Sequence, residues 1–118
     1  MWPEPTQAEL IRRKLYESGC VDIPSVGYSM YPMIRTGDLC RFIPIDVRSL
    51  RPGAIVLFTD AEGRLIGHRF LRIEQRQDIL LYICKGDTNR FADDPVPPEQ
   101  LLGKLVSIER KNRRGKKK

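Results

Sequence analysis

The 118-residue chain has no long apolar run. Its longest uninterrupted stretch, Ile79 to Cys84, is six residues, where a membrane-spanning helix needs roughly 20. The N-terminus also lacks the apolar centre of a secretory signal and carries Glu4, Glu9, Arg12, Arg13 and Lys14 instead. Read with Met1 and the capped helix described below, this predicts a chain without its own anchor, cytoplasmic or peripheral at a membrane face. Cysteine is scarce: Cys20, Cys40 and Cys84 are odd in number and widely spaced, with no C-x-x-C. That excludes a disulfide framework and a zinc site of the usual spacing, and predicts buried thiols in a reducing compartment. Neither a metal nor a cofactor is expected. Histidine occurs once, as His68. The length leaves no room for two independent cores.

Positive charge is what the chain has in excess, but in one place only. The formal net charge is +6, and seven of the 21 basic residues fall within the last nine positions. The rest of the chain holds 14 basic against 15 acidic residues and is close to neutral. The charge is a tail and not a face. It reads as a solvated, disordered end over 111–118, with contact between residues 110–118 and an anionic membrane as the further option; nucleic acid is not an expected partner.

Thr6-Gln7-Ala8-Glu9 is a capping box, followed by Ala8, Ile11 and Leu15 at helical spacing and by Gly19 as a stop. This predicts one helix over 7–18, within an N-terminal segment 1–19. From Cys20 the chain reads as short strands cut by Pro and Gly: 20–26, 38–43, 54–59, 64–74, 79–85 and 103–110. Strands 54–59 and 64–74 should form one hairpin, and 64–74 and 79–85 another. In 64–74, His68, Phe70 and Arg72 share one face by simple alternation. Residues 86–102 read as loop, since Pro95, Pro97 and Pro98 exclude a central strand. The predicted class is mainly β, a small antiparallel domain over 20–110 with one N-terminal helix.

Three segments carry the chemistry: Val26-Gly27-Tyr28-Ser29-Met30-Tyr31-Pro32 with Thr36-Gly37-Asp38, then Gly67-His68-Arg69, then Lys85-Gly86-Asp87-Thr88-Asn89-Arg90-Phe91-Ala92-Asp93-Asp94. A serine, a single imidazole and a cluster of carboxylates are the parts of a nucleophile–base–orienter relay. Asp38 after Gly37 reads as a turn carboxylate.

The order and content of these segments resemble the type I signal peptidase and repressor self-cleavage superfamily. G-x-S-M-x-P with a later G-D is similar to its first box. Gly67-His68-Arg69 resembles the base-bearing strand of the branch that uses histidine where the common bacterial enzymes use lysine. Lys85-Gly86-Asp87-x-Asn89 with Asp93-Asp94 resembles the acidic box, and Gly103-Lys104-Leu105-Val106 the closing strand. The similarity runs over about residues 21–108. It implies a small antiparallel β fold of that kind and a serine endopeptidase acting on an extended signal, leader or precursor peptide.

Carried onto this chain, the resemblance implies Ser29 as nucleophile and His68 as general base. Besides His68, strand 64–74 offers only arginines, which do not deprotonate, and Lys85 and Lys104 stand in other boxes. The relay carboxylate falls on Asp94, just before Pro95. One extra residue between Asn89 and the Asp pair leaves Asp93 open, and Asp87 either holds the loop or shares the histidine's second nitrogen. The Ser29 backbone N–H is the first oxyanion donor. Gly27 stands where some members carry a second, hydroxyl donor. Val26, Gly27, Tyr28 and Met30, with Tyr31 and Ile34, are the groove candidates, and small residues are implied at the first and third positions before the cut. The competing reading is a repressor-like regulatory module that cleaves itself or lacks catalysis and contacts nucleic acid through its tail. Residues 1–19 offer only one helix for it, where a helix-turn-helix needs two.

Overall fold

The computed structural model describes residues 4–110; residues 1–3 and the basic segment 111–118 lie outside the described part. Helix α1 spans Gln7–Ser18. The capping box forms as the sequence predicts: Glu9 N–H donates to Thr6 Oγ1 at 3.1 Å and Thr6 N–H to Glu9 Oε1 at 3.2 Å. Gly19 ends the helix at φ 77°, its N–H donating to Leu15 O. Ile11 and Leu15 form the buried stripe.

Six strands follow: β1 (Val21–Pro24), β2 (Leu39–Pro44), β3 (Ile55–Thr59), β4 (Leu65–Arg76), β5 (Ile79–Lys85) and β6 (Leu101–Glu109). They form one sheet in the order β1-β2-β6-β3-β4-β5, with every neighbouring pair antiparallel. The fold is mainly β, as expected, and both expected hairpins are present.

Three boundaries differ from the sequence reading by two residues, each for a local reason. β1 stops at Pro24 because Ser25 N–H already donates across the loop base to Asp38 O. β4 runs on to Arg76 because the turn needs only Gln77 and Asp78, with Gln77 at φ 56°. β6 begins at Leu101, which pairs with Phe58 across a register shift. Arg72 also leaves the face it was expected to share with His68. A bulge at Leu71 breaks the β4–β5 register, and Arg72 becomes exposed and ion-paired with Glu74.

β3 is central and explains its own unbroken apolar run. Ile55 and Leu57 enter one core with α1, Met30, Ile34, Cys40 and Phe42; Val56 and Phe58 enter the other with Phe70, Tyr82, Cys84 and Val96. A strand covered on both faces has no use for alternation. Burying those side chains on both sides stabilises the strand by roughly 1.5–3 kcal/mol per large residue, before cavity terms. The two loops that matter for function, 25–38 and 86–94, project from the ends of β1 and β5 and meet over β4.

Candidate active site

The loop between β1 and β2 is closed at its base by backbone bonds: Ser25 N–H to Asp38 O at 2.8 Å and Gly37 N–H to Ser25 O at 3.0 Å. Thr36 clamps it further in, its Oγ1 accepting from Gly27 N–H and donating to Gly27 O. Gly27 sits at φ 96°, a conformation that disfavours any side chain. A hydroxyl residue two places before Ser29 would be strained there, which accounts for the glycine. Met30 is buried in the α1-side core and anchors the turn, leaving Ser29 half-buried at the surface.

The turn carboxylate Asp38 does more than its place after a glycine suggests. It is 2% exposed, accepts Arg35 N–H at 2.8 Å, and takes both Arg110 Nε (2.9 Å) and an Arg110 terminal nitrogen (2.8 Å). Arg110 also donates to Met33 O. The guanidinium holds the Asp38 carboxyl below its ordinary value of 3.8 against the opposing effect of burial. Arg110 is thus committed to the body, and the run of free basic charge expected over 110–118 loses its first member.

β4 carries His68, 8% exposed, with Phe58 edge-on to its ring at 6.3 Å. His68 Nε2 lies 2.9 Å from Ser29 Oγ, and His68 Nδ1 lies 2.6 Å from Asp93 Oδ2. An ionised carboxylate only accepts, so Nδ1 carries the proton and Nε2 is left to accept from the serine hydroxyl. A hydroxyl, an imidazole and a carboxylate are joined in series, an arrangement able to take a proton off the serine as it attacks.

The carboxylate on the histidine belongs to Asp93 and not to Asp94, where the resemblance put it. Val96 and Tyr82 exchange both backbone hydrogen bonds (2.8 and 2.9 Å), a register that would set Asp94 opposite Cys84. Instead it is Asp93 N–H that donates to Cys84 O, at 2.8 Å. One extra residue is accommodated between 93 and 96, and it leaves Asp94 exposed with no side-chain partner among the described residues.

Asp87 does not share the histidine either. It forms a bidentate pair with Arg69, at 2.9 and 2.7 Å, which holds its carboxyl below the ordinary range despite some burial. Arg69 in turn donates to Gly53 O and to Met33 Sδ. The two loops are stitched together: Thr88 N–H donates to Ser29 O at 2.9 Å, Thr88 Oγ1 to Tyr28 O at 3.2 Å, and Asp87 N–H to Met30 Sδ at 3.4 Å. Behind the site, burial and the neighbouring Asp93 push the Cys84 thiol up to about 12, and burial takes Cys40 to about 11. Both are neutral thiols at physiological pH. Cys20 is half-buried, and all three cysteines are free.

Ser29 and His68 open onto a cleft of about 590 Å³. Of the groove candidates, Val26, Gly27, Met30 and Ile34 line it. Tyr28 does not; its carbonyl is tied inward, and the residue is 72% exposed. Tyr31 also lies outside the lining. The opposite wall, Arg64 to Gly67, and the apolar floor of Cys40, Phe42 and Leu57 were not legible as groove from sequence. Nor was the role of Gly86. A Cβ there would lie 2.9 Å from Ser29 Cβ and 3.0 Å from His68 Nε2, so only glycine lets the loop close over the pair. Among the described residues, no three His, Cys, Asp or Glu side chains converge as metal ligands would, and no helix is long and apolar enough to cross a membrane.

An antiparallel β scaffold thus carries a hydrogen-bonded serine–histidine–aspartate series. No protein-family model matches the chain. It is 36% identical over 83 residues to Signal peptidase I W of Bacillus subtilis (strain 168), in an alignment covering 69% of this chain and 44% of that protein. The chain thus spans less than half the length of this curated relative. The similarity supports a signal-peptidase-like relationship.

Proposed function

We propose that the protein is a serine endopeptidase of the signal-peptidase type, using histidine as its base and hydrolysing an extended signal, leader or precursor peptide. The observation that carries this reading is the unbroken series Ser29 Oγ–His68 Nε2 (2.9 Å) and His68 Nδ1–Asp93 Oδ2 (2.6 Å) opening onto the cleft. Ser29 Oγ attacks the scissile carbonyl as its proton passes to His68 Nε2, and Asp93 stabilises the imidazolium that forms. The Ser29 backbone N–H faces the developing oxyanion. His68 then gives the proton to the leaving amine, and water hydrolyses the acyl-enzyme in the second half.

The backbone of β4 supports an extended substrate. Phe70 N–H donates to Ala54 O, and Gly53 N–H donates to Phe70 O, so the polar groups of Phe70, His68 and Ile66 face β3. Those of Leu65 and Gly67 face the other way, and β5 pairs with β4 only from Arg69 onward. A peptide laid along Leu65–Gly67 completes that edge with backbone bonds and turns alternate side chains into the cleft. The resemblance implies small residues at the first and third positions before the cut. A peptide library tests this: cleavage after Ala-x-Ala-like segments is the expected result, and a preference for a basic or aromatic residue just before the cut would overturn the substrate class.

A further inference from the structure

Asn89 stands beside the reacting pair with its side chain uncommitted. Its main chain is held twice, the N–H donating to Gly86 O at 3.0 Å and the carbonyl accepting from Lys85 Nζ at 2.8 Å. Its carboxamide has no hydrogen-bond partner among the described residues. Yet the point one carbon beyond Gly86 Cα lies 2.7 Å from Asn89 Nδ2, 2.9 Å from Ser29 Cβ and 3.0 Å from His68 Nε2. Asn89 Nδ2 is therefore within about 5.7 Å of His68 Nε2, a span that one water bridges. The carboxamide lies outside the cleft, whose walls include Ser29 and His68 but neither Gly86 nor Asn89. With the acyl half of a peptide in the cleft, a water beside Asn89 approaches the pair from the face that the acyl group leaves open.

Resting on the serine-peptidase reading above, we infer that Asn89 is a further catalytic residue, which binds and orients the water of the deacylation half-reaction. A carboxamide offers both a donor and an acceptor, and so fixes a water molecule from one side while His68 Nε2 accepts from it on the other. The water oxygen attacks the carbonyl carbon of the Ser29 ester as its proton passes to His68 Nε2. The tetrahedral centre collapses, the bond from carbon to Ser29 Oγ breaks, and Oγ takes the proton back from His68. A carboxylic acid and free Ser29 result, with no other reactant consumed. Asn89 exchanges no proton. The loop holds its main chain in two places and so fixes the root of the carboxamide beside the pair, as positioning a small nucleophile requires.

The test uses the full chain and p-nitrophenyl acetate, whose leaving group needs no peptide contacts. The wild type is expected to give a burst, with acetyl-Ser29 seen by intact mass and peptide mapping, followed by slow turnover. Asn89→Ala should keep the burst rate within about threefold but slow turnover by about tenfold or more, so that acetyl-Ser29 accumulates. Asn89→Asp keeps the shape and places a carboxylate near His68, which favours the protonated imidazole. Its turnover should therefore need a higher pH to reach half its maximum. Turnover unchanged in Asn89→Ala, burst and turnover falling together, or an unmoved pH profile in Asn89→Asp would overturn the inference. A wild type that never acetylates Ser29 would instead sink the serine-peptidase reading, and this inference with it.

Discussion

Asp93 Oδ2 accepts from His68 Nδ1 at 2.6 Å, although the next residue, Asp94, is the one that sequence register favours. The prediction is a sharp asymmetry between neighbours. Asp93→Asn should reduce peptide cleavage by roughly 10²–10⁴-fold, because an amide in that place no longer holds the imidazole in the tautomer with Nε2 free. Asp94→Asn should stay within about threefold of wild type. Ser29→Ala and His68→Ala should each remove roughly 10⁴-fold or more while leaving the circular dichroism spectrum unchanged. Equal effects of the two Asp variants would contradict the observed register.

Gly86→Ala is expected to be a selective lesion. The added methyl would meet Ser29 Cβ and His68 Nε2 at about the distance of a hard contact, and neither belongs to a flexible surface chain. The pair must separate, and a displacement near 1 Å costs on the order of 10²-fold in rate. Stability should fall by only about 1–3 kcal/mol, the range for overpacking. Thermal unfolding and kcat measured together check this; an active Gly86→Ala enzyme would mean the loop closes differently.

The ion pair of Asp38 with Arg110 makes the nucleophile loop acid-sensitive. The folded pKa of Asp38 is depressed, so its contribution to stability is complete above the ordinary value of 3.8 and is lost as pH falls through the folded value. Asp87, depressed by Arg69, adds to the same acid limb. Asp38→Asn should lower stability by about 1–3 kcal/mol at neutral pH and flatten the dependence below pH 4. Denaturant unfolding from pH 2 to 7 reads both. An Asn variant with the wild-type acid limb would assign that limb elsewhere.

Much of this architecture was legible beforehand, and the failures have physical causes. Capping at Thr6 and Glu9 located α1 to the residue, because local hydrogen bonds decide it. Ser29 and His68 were legible because their segments, each weak alone, follow one another in the order of a known family pattern. The sequence favours Asp94 and leaves Asp93 open, because one extra residue shifts the loop and no local pattern reports where the bulge falls. Asp38 was read as a turn residue because its partner, Arg110, lies 72 positions away. Tyr28 was assigned to the groove because turn geometry, not residue type, decides which way a ring points. The roles of Gly86 and Asn89 depend on how two loops meet, which only the folded chain displays.

Truncation after Arg110 should leave cleavage of a short peptide unchanged, since β6 ends at Glu109 and Arg110 completes the Asp38 pair. Binding of the full chain to anionic vesicles should weaken with salt and vanish on truncation. Removing Arg110 as well should cost activity through the nucleophile loop. Loss of cleavage in the chain ending at Arg110 would show that residues 111–118 serve the fold.

The most direct measurement is covalent trapping with a serine-directed fluorophosphonate followed by peptide mapping of the adduct. A Ser29 hydroxyl activated by His68 predicts stoichiometric modification of Ser29 in the wild type and its near-complete loss in His68→Ala. Modification of another serine, or equal labelling of Ser29 with and without the imidazole, would contradict the account.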